Sequence, residues 1–413
     1  MKKYIALALC LIMIVSCFVG CGKKADEEVD LVVWTNKAEG TPAYDVTVEM
    51  IEKFEESRGV NLEVQHYGSD LGTILGTALE SGERVDVFAL GSQQQLAANI
   101  KYTMDITNYV TESDVLDRAY PICMDIIMDQ SENDAEYHAI PTTSSFNSFW
   151  YNKAAFEAAG ITENPTTIEE FEAVCDALVA AGYNPIAQDA GYIISLFGAL
   201  VERYVGEATA TELTLNGGFA ENENFIAACD KILEWVDKGY FDPDSPSEWP
   251  ASQNKIGLTE ENVMVYCGAW VSGEIEEMTG AELEWGCFKF PELPGGPGTY
   301  GTSVSCTCNC INVNCENPDL AWDYLYYMCT GEVDKAITDA DVYLVDDRTQ
   351  EALPRFADAR EIMESTETNM NYAGGLHSNA DIKTSMNDTV IGLYTGKYAD
   401  GLAAAQAFDA LLK

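Results

Sequence analysis

Three cysteines at alternate positions, Cys306, Cys308 and Cys310, most directly invite chemistry by type and spacing, because thiolates bind soft metals. Alternate residues of a regular strand stand ~6.6 Å apart along it, farther than sulfurs sharing one tetrahedral zinc. The trio therefore reads as small buried hydrophobes on one face of a strand. No CxxC pair occurs, and His66, His138 and His377 are scattered, so we expect no metal, no cofactor and no essential disulfide. With 68 acidic residues, any pair of carboxylates is uninformative about general acid–base work. Neither a nucleophile elbow nor a His-paired Ser or Cys stands out, so we expect no enzyme. The remaining chemistry is recognition by polar and aromatic residues that follow apolar runs. Asn36 and Glu39 come after Leu31–Trp34, Gln93 after Leu90, Asp189 and Tyr192 after Gln188, and Trp270 after Tyr266.

Placing such loops requires strands that end on a common edge. Leu31–Trp34 reads as a fully buried strand, followed by a helix carrying Val46, Met50, Ile51 and Phe54 and ending at Gly59. Val60, Leu62 and Val64 alternate as a strand, Leu71–Ser81 is a second helix, and Val85–Leu90 a third strand. This is βαβαβ, an α/β class with a parallel sheet, whose ligand loops lie at the strands' carboxyl ends. Farther on, Thr167 and Glu170 make a capping box for a helix over Ile168–Ala181. A strand over Asn184–Gln188, an apolar helix up to Val205, a helix over Phe225–Val236 and a strand over Val263–Tyr266 follow.

Between these regions the chain crosses from one lobe to another. His138–Gly160 holds a strand end, Pro141, a run of small hydroxyl residues and an aromatic strand, a combination that can bend. The Pro/Gly-rich Pro291–Thr302 is the second crossing, and the chain recrosses after Gly331. We therefore expect 31–143 plus 303–331 in one lobe and 144–302 plus 332–413 in the other. A length of 413 residues with 47% hydrophobic composition suits two cores.

Charge narrows the partners. Lys and Arg number 23 against 68 Asp and Glu, so phosphates are repelled and nucleic acid is not expected. The amino terminus is an export signal over 1–20, with Lys2 and Lys3 before an uncharged apolar stretch, Tyr4–Val19. The small residue Gly20 precedes Cys21 and an acidic linker fills the rest of 21–30, a pattern that looks like a bacterial lipoprotein signal with Cys21 lipidated. Cys17 is the other candidate for that cysteine. This places the protein outside the cytoplasm, anchored to the outer face of the cell membrane. Ten cysteines lie beyond Cys21.

The order and spacing of LVVW (31–34), SGERVDVF (81–88), IPTTSSFNSFWYNKAAFEAAGI (140–161), PTTIEEF (165–171), VYCGAW (265–270), FPELPGG (290–296) and NDTVIGLYTGK (387–397) carry a resemblance over nearly all of the mature chain. The sequence resembles extracellular solute-binding protein family 1, the lipoprotein receptors of ABC sugar importers, of maltose-binding-protein type. That resemblance implies a two-lobe periplasmic-binding-protein-like type II fold, each lobe a mixed, mostly parallel sheet flanked by helices, with a hinge between. It implies a monomer that closes on a small carbohydrate and delivers it to ABC permease transmembrane subunits. Carried over by position, Trp270 and Tyr192 match the family's stacking aromatics and Asp189 sits near a carboxylate contact. Asn36, Glu39 and Gln93 fall where the first lobe reaches hydroxyls, and Ser145 where a crossing carboxylate often lies. Trp249 has no counterpart; it lines the cleft or only covers a helix. Where maltose binders carry an acid–base pair and an Asp–Arg pair, this chain has Ala38 and Glu39, then Gln93 and Gln94, so maltose itself is not the expected ligand. Competing readings are a neutral or cationic non-sugar solute and an exported glycoside-acting enzyme.

Overall fold

The computed structural model describes residues 28–131 and 135–413, so Cys21 and the leader lie outside the described residues. Two sheets organise the chain, each with its own helices. The first has strand order β2-β1-β3-β9-β4, from β1 (Leu31–Thr35), β2 (Leu62–His66), β3 (Val87–Leu90), β4 (Ile140–Phe146) and β9 (Val304–Ile311). β1 runs parallel to β2 and β3, whereas β9 is antiparallel to β3 and β4. The second sheet orders β6-β7-β5-β8, from β5 (Ser148–Asn152), β6 (Asn184–Ala187), β7 (Asn262–Cys267) and β8 (Trp285–Phe288).

Local chemistry fixes these elements. β1 and β3 are buried along most or all of their length, as continuous apolar runs in covered parallel sheets are. The capping box of Thr167 and Glu170 forms as expected and starts the helix Ile168–Ala181, which Gly182 closes in the left-handed region. Pro141 is tolerated because β4 is an edge strand. Cys306, Cys308 and Cys310 lie buried on one face of β9, packed with Trp34 and Leu75.

Only Asn147 separates β4 from β5, so the chain passes between the two sheets within one residue. Behind that passage the lobes share an apolar cluster: Tyr120, Ile126, Phe146 and Val304 from one side pack with Trp150, Val265, Trp285 and Phe356 from the other. The second crossing is anchored from below. Arg203, 1% exposed, donates Nε to Pro291 O (3.1 Å) and Nη2 to Phe290 O (3.1 Å) and Gly301 O (2.9 Å), while its Nη1 pairs with Glu202. Glu202 accepts from the Thr299 N–H at 2.7 Å. The backbones come so close that a Cβ on Gly298 would stand 2.2 Å from Glu202 O. The third crossing departs from expectation: the helix Gly331–Ala340 still packs on Pro42–Arg58 of the first lobe. The chain leaves only afterwards, through 341–347, where Asp346 accepts from the Ser144 N–H (2.8 Å) and the Thr143 N–H at an irregularity in β4.

Candidate functional site

At the carboxyl end of β3, Ser92 caps the helix Gln93–Asn99 and sets Gln93 at its first position. The Gln93 side chain donates Nε2 to Val304 O at 3.1 Å, but its Oε1 is buried with no partner. In the second sheet β7 runs into Gly268, Ala269 and Trp270, which begins the helix Val271–Thr279. The Trp270 ring lies flat over Gly268, where a Cβ would stand 2.0 Å from Cζ3. Ser145 holds this turn, accepting the Ala269 N–H on its Oγ at 3.1 Å, so it positions the loop that carries Trp270.

Gln93 and Trp270 face one another across a cavity of ≈ 940 Å³, counting space open at its mouth. Gln94, Asp129 and Gln130 complete the first-lobe wall, Asn147, Ser303 and Ser305 the floor at the crossings, and Glu207, Asn371 and Tyr372 the second-lobe wall. The lining carries two carboxylates and no Lys or Arg. Glu207 Oε2 accepts the Asn371 N–H at 2.8 Å and so holds the segment bearing Tyr372. On the floor, Asn147 Nδ2 is buried without a partner, complementing the unpartnered acceptor of Gln93. A buried donor and a buried acceptor left open at one cavity suit a ligand that offers both, as a hydroxyl does.

Tyr192 packs beside Trp270, and burial raises its phenol pKa. Asp189 does something other than reach into the cavity. It is fully buried, with its oxygens accepting the Ser252 N–H (2.9 Å) and the Gln253 N–H (3.0 Å). The helix Ala251–Leu258 begins after Pro250, which has no capping side chain, and Asp189 caps it from another element. Burial still raises the Asp189 pKa, outweighing those N–H bonds. Asn36 donates to Thr307 Oγ1 at 3.4 Å and lines a separate ≈ 600 Å³ cavity inside the first lobe, with Lys37, Thr47 and Asp334. Glu39 is exposed beside His66, whose pKa burial lowers. Trp249 is 49% exposed next to Gln253 and Glu274.

Sequence reasoning did not single out Asn147, Asp129, Glu207 or Tyr372. Asn147 had a signal, since it sits at the crossing itself. Tyr372 had a fainter one in the Gly374–Gly375 pair after it, because a Cβ at Gly374, φ 56°, would stand 2.0 Å from Gly198 O.

Solved structures share this architecture. A chitin oligosaccharide binding protein aligns at 18% identity over 93% of this chain and 98% of its own, with a TM-score of 0.66. A probable secreted solute-binding lipoprotein from Streptomyces coelicolor aligns at 16% identity, 94% and 99% coverage and TM-score 0.74. The GacH receptor of Streptomyces glaucescens, solved unliganded and with acarbose, aligns at 15% identity, 93% and 97% coverage and TM-score 0.63. No curated protein sequence matches significantly. The family profile described as bacterial extracellular solute-binding protein matches residues 49–344, a span that holds every strand of the two sheets except β1 and most of the cavity wall. By that match and this fold, the chain belongs to the bacterial extracellular solute-binding proteins.

Proposed function

We propose that the protein captures a small carbohydrate, an oligosaccharide in preference to a single ring, between its lobes and presents the closed form to the transmembrane subunits of an ABC importer. One observation carries this reading: a cavity walled by both lobes sets Trp270 and Tyr372 against the unpartnered Gln93 Oε1 and Asn147 Nδ2, with no cationic side chain. Sugar C–H faces stack on aromatic rings and sugar hydroxyls bridge amides and carboxylates, so this is the lining such a ligand needs. Two of the similar structures are described with oligosaccharide-type ligands, which supports the class without naming the sugar. Trp270, Tyr192 and Gln93 are the contacts we retain from the sequence, joined by Asn147 and Tyr372. A binding site rather than a catalytic one fits the family. Lipidation at Cys21 would tether a monomer to the outer membrane face of the cell, and loss of membrane fractionation in Cys21→Ala tests that tether.

Thermal-shift measurements against mono- and oligosaccharides test the ligand class. A ligand at 100 times its dissociation constant stabilises by about 2.7 kcal/mol. We expect at least one oligosaccharide to raise Tm, and Trp270→Ala to weaken it by about 10–100-fold, or about 1.4–2.8 kcal/mol. A panel in which no saccharide shifts Tm would sink the reading.

A further inference from the structure

One turn beyond Trp270, Glu274 lies in the first turn of its helix, its N–H donating to Trp270 O at 3.0 Å. Its Oε1 is buried and has no hydrogen-bond partner, and the residue makes no ion pair among the described residues. Beside it stands Gln253, 0% exposed, with both amide atoms also unpartnered although Asp189 pins its backbone N–H. The Gln253 amide and the Trp249 indole are near enough to draw the Glu274 pKa down, yet neither satisfies Oε1; desolvation prevails and raises it. Tyr192 and Tyr343 feel the same charge. Nearby cations pair with other carboxylates: Lys37 with Asp341 at 2.9 Å, Lys255 with Asp242 and Asp244 at 2.9 and 2.7 Å, and Arg355 with Glu276 at 2.8 Å.

A buried carboxylate oxygen and a fully buried amide, both unpartnered, beside a half-exposed indole match one chemical group. We propose that this wall, Trp249, Gln253 and Glu274, is a subsite for a protonated amine, so that the captured carbohydrate is an amino sugar. The ammonium would donate to Glu274 Oε1 and Gln253 Oε1, the Gln253 Nε2 would donate to a neighbouring hydroxyl, and the Trp249 face would add a cation–π contact. A neutral sugar would leave Glu274 desolvated and uncompensated. This assignment rests on the carbohydrate reading above and adds the charge of the ligand.

Matched pairs decide it: glucose oligosaccharides against their glucosamine counterparts, titrated by calorimetry at a pH that keeps the amine protonated. We expect the wild-type protein to bind the amine member about tenfold more tightly or better, a step of at least about 1.4 kcal/mol. Glu274→Gln, close in shape, should erase that preference, and Glu274→Asp should keep part of it. Equal affinity for the two members, or a preference that survives in Glu274→Gln, overturns the proposal while leaving carbohydrate capture standing. If no saccharide of either set binds, the carbohydrate reading falls and spermidine becomes the probe. Binding of spermidine that is lost in Glu274→Gln then retains the amine site, and no binding removes it.

Discussion

Asp189 shows how the same residue type in the same kind of loop can serve two ends. An acid just after a buried strand looks like a ligand contact in sequence, and nothing local distinguishes it from one. Only the fold reveals that the helix Ala251–Leu258 starts at Pro250 without a cap of its own and takes Asp189 instead. Replacing it should therefore cost stability. Asp189→Ala is expected to lower unfolding free energy by about 0.5–2 kcal/mol, the range for lost caps, with any loss of ligand affinity following through Gln253. Chemical denaturation of the unliganded protein measures the first effect. An unchanged midpoint combined with lost binding would return Asp189 to the ligand. Trp270 and Gln93, which line one cavity, each come shortly after a strand whose burial is plain in the sequence. Trp34 and Trp150, at 3% and 0% exposure, are core as their strands imply.

Among the elements, those with strong periodicity or a clear cap could be read almost to the residue. Leu71–Ser81 and Ile168–Ala181 end where Gly82 and Gly182 adopt the left-handed conformation. The helices Glu207–Asn216 and Gly331–Ala340 escaped notice for physical reasons. The first is rich in Thr and flanked by glycines, and the second opens on Gly331 with Val333 and Ile337 as its main apolar residues. Their packing, not their propensity, makes them helical. The second carries Asp334, whose Oδ2 accepts the Asp346 and Asp347 N–H groups at 3.1 and 2.8 Å and so ties the helix to the third crossing. Burial and the facing Asp346 raise the Asp334 pKa, and burial raises that of Asp346, with Lys37 and Asp347 the other charges nearby. A folded-state pKa above the unfolded value contributes stability that is present at low pH and is lost as pH rises through the folded pKa. Asp334→Asn keeps an acceptor for both N–H groups and removes that loss. Its Tm should exceed the wild-type Tm at pH 8, by on the order of 1–3 kcal/mol of stability, and approach it near pH 4. Thermal melts across that range check the convergence; a gap that widens on acidification contradicts it.

At the scale of the whole molecule, the two lobes are neither separate nor fused. Their loops face a shared cavity, while Phe146 and its neighbours bind them behind it, so closure must pivot on a packed apolar hinge. The Pro/Gly-rich stretch 291–302, read from the sequence as the second crossing, is clamped to the second lobe by Arg203 and Glu202. The residues of that clamp lie about a hundred positions away in a helix read simply as apolar, so its sequence carried no sign of the partnership. Arg203→Met should cost about 3–5 kcal/mol by stranding Glu202 in the interior, and Glu202→Gln in the same chain should recover part of it. Equilibrium urea unfolding of the two variants tests this, and a single variant as stable as the wild type would refute it.

The ten described cysteines are all buried and all unpaired, three of them in a row along β9. Each thiol is out of reach of a water-borne alkylating agent while the fold is intact and becomes reactive only where the interior opens. The protein thus carries ten built-in clocks. Mass spectrometry of pulse-labelled samples would time, site by site, when Cys175 and Cys229 of one half and Cys308 and Cys310 of the other come into contact with solvent, and whether a bound solute slows both halves together.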